Sequence, residues 1–147
     1  MKITRSVTID TTRERLWFFL TDQEAIKRWN TDIISDEVLT EGPLGVGTRS
    51  RIMIREGSRE VEYANEIIEY DEPDRLSIRL TGGSLGDGPM TIHYVVSGSN
   101  GALDVRFDSD WEAHGVVLKL LSPLLTLMGR RNARRVMSRL KEVAESD

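Results

Sequence analysis

The chain has 147 residues, 39% of them hydrophobic and 30% charged, which is enough for one soluble domain, residues 1–147, with its own core. A net charge of −4 argues against general nucleic-acid binding, and the absence of Cys removes disulfides, thiolate nucleophiles and thiolate metal ligands. Lys2, Arg5 and Asp10 interrupt the opening segment, so it does not read as a signal peptide, and the apolar run ending at Met128 is shorter than the roughly 20 residues a bilayer requires. A cytoplasmic location is expected.

Residues 2–9 alternate, with Ile3, Val7 and Ile9 on one face, and predict a first strand. Arg5 falls on that same face. Asp10 or Thr11 offers an N-cap oxygen to a helix carrying Leu16, Trp17, Phe18 and Leu20, and Asp22 caps a second short helix that ends at Trp29. Strands are then expected over 33–40, 48–56, 59–70, 75–81, 90–96 and 103–112, separated by clusters of Gly, Pro, Asn, Asp and Ser.

Gly57-Ser58 suits a two-residue hairpin turn, and that turn sets a register. Arg55 then faces Glu60, Met53 faces Glu62 and Arg49 faces Glu66. On the other side Ile54 meets Val61, Ile52 meets Tyr63, Ser50 meets Asn65 and Thr48 meets Ile67. Opposite charges gather on one face and apolar groups on the other, and a slip of one residue mixes the two sets. The arginines therefore face solvent. By the same alternation Leu76, Ile78 and Leu80 face inward, as do Met90, Ile92, Tyr94 and Val96, and Leu103, Val105, Phe107, Ser109 and Trp111. Ser77 and His93 point outward.

The last segment is almost wholly apolar from Gly115 to Met128 and then narrows to a stripe of Ala133, Val136, Met137, Leu140 and Val143. Pro123 lies inside the pattern. It either kinks one long helix or marks the point where the helix begins. The basic run of Arg130, Arg131, Arg134, Arg135, Arg139 and Lys141 is either a solvated face or a surface for anionic lipid or an acidic partner.

Strand, two short helices, six strands and a closing helix is the order of the helix-grip fold. The chain resembles the START/Bet v 1-like superfamily (SRPBCC), in particular its polyketide cyclase/dehydrase and lipid-transport group. The carriers are Ser6-Val7-Thr8-Ile9-Asp10, the segment 16–22, Trp29, Gly45-Val46-Gly47-Thr48, the segment 66–76 and the final helix. The resemblance implies an α+β fold: a seven-stranded antiparallel sheet wrapped around a long C-terminal helix, with a cavity between them. Relatives of this kind carry lipids, bind hormones or quinones, act as cyclases or contact other proteins.

For this chain the expected ligand-binding residues are Trp29, Ser50, Ile52, Tyr63, Asn65, Ile78, Tyr94, Phe107, Ser109 and Trp111 from the sheet and short helices, with Leu120, Leu124 and Met128 from the last helix. Thr48, Arg5 and Asp36 are further candidates whose facing is open. Each has a plainer reading: Tyr63 and Tyr94 as core aromatics, Ser50 and Asn65 as a cross-strand pair, Trp29 and Trp111 as packing residues, Arg5 at a frayed strand end. Sharper chemistry is missing. The glycine-rich stretch 82–88 lacks the Gly-Lys-Ser/Thr ending of a phosphate loop and reads as a loop or lid. His93 and His114 lie too far apart in sequence to suggest a metal, and Ser122 has no nearby His. No cofactor and no metal are expected.

The leading expectation is binding or transport of a hydrophobic small molecule (a lipid, quinone or polyketide-like compound) in a cavity between sheet and last helix. A cyclase or dehydratase is the alternative. A second alternative is an interaction module that uses the basic helix for peripheral membrane or protein contact, as a monomer or homodimer.

Overall fold

Period-2 alternation through the middle of the chain and a helical stripe at its end resolve into one sheet, four α-helices and a single 3-10 turn (Gly83–Leu85) among the described residues of the computed structural model, 1–86 and 88–146. Strand β1 is Lys2–Ile9. Helices α1 (Arg13–Thr21) and α2 (Gln23–Trp29) follow. Then come β2 (Ile33–Val38), β3 (Arg49–Glu56), β4 (Arg59–Asp71), β5 (Arg75–Gly82), β6 (Met90–Ser99) and β7 (Ala102–Trp111), and finally α3 (Val116–Leu120) and α4 (Ser122–Glu145). The strands form a single antiparallel sheet in the order β1-β7-β6-β5-β4-β3-β2. This is the helix-grip arrangement.

The β3–β4 hairpin has the register read from Gly57-Ser58, from Glu56 opposite Arg59 to Arg49 opposite Glu66. Its outer face carries exposed pairs such as Arg51 with Glu37 and Glu62, each at 3.5 Å. Such pairs contribute little to stability, so the apolar face sets the register. Ser77 does point outward, yet it is fully buried. A bulge between Ile67 and Glu69 brings Glu69 over it; the Ser77 hydroxyl donates to Glu69 at 2.8 Å and lies 2.6 Å from His93 Nδ1.

Local chemistry corrects several expectations. Thr12, rather than Asp10 or Thr11, caps α1 by accepting from the Arg15 N–H. Asp22 caps α2 as expected, through the Ala25 N–H at 2.9 Å. Strand β6 runs past Val96 because residues 97–99 keep pairing with 102–104. Gly98 makes that possible: it has φ +87°, and a Cβ there would stand 2.6 Å from the Ala102 carbonyl. Pro123 does not kink a single helix. It sits in the first turn of α4, where its missing N–H leaves no bond unmade, and α3 is a separate short helix.

The main core joins β1, β6 and β7 to α1, α2 and the C-terminal half of α4, where Ile9, Leu16, Phe19, Leu103, Met137 and Leu140 are the large buried side chains. A clasp fixes the end of α4. Arg15 donates to the Ala144 carbonyl at 3.0 Å, Lys141 to the Thr8 carbonyl at 2.7 Å, and the Asp10 N–H to Glu145 at 2.8 Å. A second, smaller cluster holds Ile52, Val61, Tyr63, Leu80, Leu85 and Trp111. The described part of the glycine-rich stretch is anchored there, because Leu85 is buried and its carbonyl accepts from the Trp111 indole at 3.2 Å; Asp87 lies outside the described residues.

Leu140→Ala should therefore cost about 2–5 kcal/mol in urea unfolding, whereas Leu124→Ala, on the solvent side of the same helix, should stay within about 0.5 kcal/mol of wild type. Equal costs would contradict the assignment of α4's packing face.

Candidate functional site

The inner faces of β2 to β6 are apolar; α1 and α2 reach over the cavity side of this end, and Leu118 of α3 and Leu125 of α4 rest on the neighbouring cluster around Leu85 and Trp111. The cover is incomplete, and a half-open cavity of about 130 Å³ remains. Leu20, Gln23, Ile26 and Trp29 come from the short helices; Asp36, Ser50, Ile52, Asn65, Ile67, Leu76, Ile78, Ile92 and Tyr94 come from the strands. No residue of α3 or α4 lines it. The expected position between sheet and last helix is thus corrected: α4 spends its buried stripe on the main core, and α2 covers the hollow instead.

One wall is polar. Asn65 Nδ2 donates to Ser50 Oγ at 3.2 Å, and Gln23 Nε2 donates to Asp36 Oδ1 at 3.3 Å. Asn65 Oδ1 is left buried with no partner among the described residues, a condition that costs about 1–3 kcal/mol. Burial raises the Asp36 carboxyl above its ordinary value of 3.8, opposed by Gln23, the Lys27 charge and Ser50.

Part of the lining is aromatic. The Trp29 indole donates to the Phe19 carbonyl at 2.7 Å, so its ring serves as a fixed wall. Tyr94 stands edge-on to it, with centroids 6.3 Å apart, and packs on Phe107 at 5.6 Å. Burial pushes the Tyr94 phenol well above its ordinary value of 10.0, so it stays a neutral hydroxyl.

Of the residues expected at a site, Trp29, Ser50, Ile52, Asn65, Ile78 and Tyr94 meet at the cavity, together with Thr48 and Asp36. Tyr63 does not. Its hydroxyl bonds Glu56 and accepts from the Ser84 N–H, and its ring lies against Gly83, where a Cβ would be 2.5 Å away. Ser109 and Trp111 are buried on β7, and Phe107 is partly buried there, behind the wall that Tyr94 forms. Leu120, Leu124 and Met128 are 75%, 54% and 57% exposed and face away from the site. Arg5 is exposed in a groove beside α4. Gln23, Ile26 and Asn30 line the cavity but were not expected there. Their spacing of three and four residues places them on one face of the α2 turn, a signal present in the sequence.

A curved antiparallel sheet with two short helices after its first strand and a long C-terminal helix packed on it defines the helix-grip class. The chain matches the family described as polyketide cyclase/dehydrase and lipid transport over residues 1–145, and it belongs to that family. No curated protein matches the sequence. Among solved structures, the chain is similar to TTHA0849 from Thermus thermophilus, with 20% identity, 98% of this chain and 97% of that one covered, and a TM-score of 0.79. A conserved protein from Geobacillus kaustophilus has 14% identity, coverage of 99% and 97%, and a TM-score of 0.80. Ara h 8.0201 has 13% identity, coverage of 95% and 97%, and a TM-score of 0.66. At these identities the likeness is one of fold.

Asp36 also sets a pH response. Its raised pKa means that the folded state keeps a proton that the unfolded state has already released, so stability from this group is fullest below 3.8 and is lost as pH rises through the folded value. Asp36→Asn should flatten the fall in stability with rising pH in urea unfolding followed from about pH 4 to about pH 7. An unchanged slope would contradict the assignment of Asp36 to a desolvated wall.

Proposed function

We propose that the chain binds a small hydrophobic molecule in the cavity roofed by α2. The observation that carries this reading is a hollow with a mostly apolar lining and one buried unpaired polar atom, Asn65 Oδ1, among the described residues. An occupant takes the apolar part of that lining out of water, which is favourable at about 25 cal/mol per Å² of apolar surface. The volume sets the size of the ligand: a hollow of about 150 Å³ takes one benzene ring, so this conformation admits a single ring or a short chain. A lipid, quinone or polyketide-like compound enters with one such portion unless α2 moves outward. Titration with toluene and p-cresol, followed by two-dimensional NMR, should shift the resonances of Ile52, Ile78 and Ile92. Ile78→Phe, which fills the hollow, should weaken binding at least tenfold. Absence of shifts with either probe would end this reading.

The enzymatic alternative rests on Asp36, a carboxyl in the cavity wall with a raised pKa, which is the property a general acid or base needs. It does not rest on Tyr63, Asn65 and Tyr94 acting together, because Tyr63 lies outside the cavity. If this reading holds, Asp36→Asn abolishes turnover of a polyketide-like substrate while leaving its binding intact.

Peripheral membrane contact through the last helix is a further reading, favoured by the exposed apolar side chains of α3 and early α4. It concerns a different surface and is compatible with a cavity-bound ligand.

A further inference from the structure

The segment from Val116 to Met128 is apolar on both of its sides. One side is in use: Leu118 and Leu125 pack on the cluster around Leu85 and Trp111, and α4 lies so close to β1 at Gly129 that a Cβ there would collide with the end of Ile3. The other side is bare. Val116, Val117, Leu120, Leu124 and Met128 are 54–75% exposed. An apolar-all-round helix is stable only where both sides are covered. Turning the bare side inward, as a lid would, merely exchanges it for Leu118 and Leu125. Its cover must come from outside the chain.

Charge identifies that cover. No Asp or Glu occurs between Glu112 and Glu142, yet Lys119, Arg130, Arg131, Arg134, Arg135 and Arg139 all fall there, in a chain of net charge −4. Arg131 follows Leu127 by four residues, so the apolar outer face of α4 continues directly into a basic one. Arg130, Arg131 and Arg134 share a groove with Arg5, Ile3 and Leu127. Among the described residues, none of these four arginines forms an ion pair. A second copy seated symmetrically on this face brings two sets of arginines together, which opposes self-association. A surface with an apolar interior and anionic phosphates suits both halves: the leucines enter the acyl boundary while the guanidinium groups stay at the headgroup level on their apolar stems.

We infer that α3 and the first half of α4 dock the protein on anionic phospholipid membranes, with Leu120, Leu124 and Met128 inserted and Arg5, Arg130, Arg131 and Arg134 holding lipid phosphates. This deepens the peripheral-membrane reading and rests on it.

The test is co-sedimentation of the intact protein with vesicles of phosphatidylcholine alone and with added phosphatidylglycerol, alongside its oligomeric state by light scattering. Binding is expected to vesicles containing phosphatidylglycerol and to fall in high salt. Arg131→Glu with Arg134→Glu should weaken it at least tenfold, and so should Leu120→Asp with Leu124→Asp. All four side chains are exposed, so the melting temperature should be unchanged. Equal binding to both vesicles, insensitive to the arginine variant, overturns the phosphate contact while leaving membrane contact standing. No binding to either vesicle overturns both. A dimer that Leu120→Asp with Leu124→Asp dissociates replaces the membrane with a second copy.

Discussion

The constraint on which the whole structure depends is the covering of one apolar sheet face. Seven antiparallel strands present that face, and two short helices plus part of a long one must cover it. The C-terminal half of α4, with Ala133, Met137, Leu140 and Val143, closes the β1–β7–β6 end and is locked there by Arg15 and Lys141. Over β2 to β5 the cover is divided between α2, which is only seven residues long, and Leu118 and Leu125, which rest on the smaller cluster. A helix of that length spans about 10 Å, and several strands of about 5 Å spacing extend beyond it. The hollow is the shortfall.

The cavity and the exposed helix are linked through that shortfall. Ile52, Ile54, Leu80 and Ile92 wall the cavity and also belong to, or pack against, the smaller cluster on which Leu118 and Leu125 rest. Side chains that an occupant touches are therefore one layer away from the helix proposed to meet lipid. Packed interiors transmit such displacements because few voids absorb them. The polar wall adds a preference. Asn65 Oδ1 and the neutral Tyr94 hydroxyl favour a ligand with some polar edge over a pure hydrocarbon.

Much of the fold is legible in the sequence, because alternation over a sheet with one wet face assigns each residue to a side. The β3–β4 register and the outward arginines follow from the Gly57-Ser58 turn together with the sorting of charged and apolar pairs onto opposite faces. Position along a curved sheet is a different quantity, and alternation does not carry it. Tyr63 and Asn65 share a face, yet two residues of rise, about 7 Å, place one in the smaller cluster and the other at the cavity. Ser109 and Trp111 share the inward side but lie on β7, one strand beyond the β6 residues Ile92 and Tyr94 that line the hollow. Leu120, Leu124 and Met128 show a second limit. Where a helix is apolar all round, periodicity no longer says which side packs, and the natural assumption that these residues look inward is wrong.

Diffraction from a crystal held under xenon pressure measures the hollow most directly, since xenon enters apolar voids and is unmistakable in electron density. A xenon site bounded by Ile52, Ile78 and Tyr94 is the predicted result. A lattice in which that space is filled by the protein's own side chains, with no xenon between β3, β5 and α2, would contradict it.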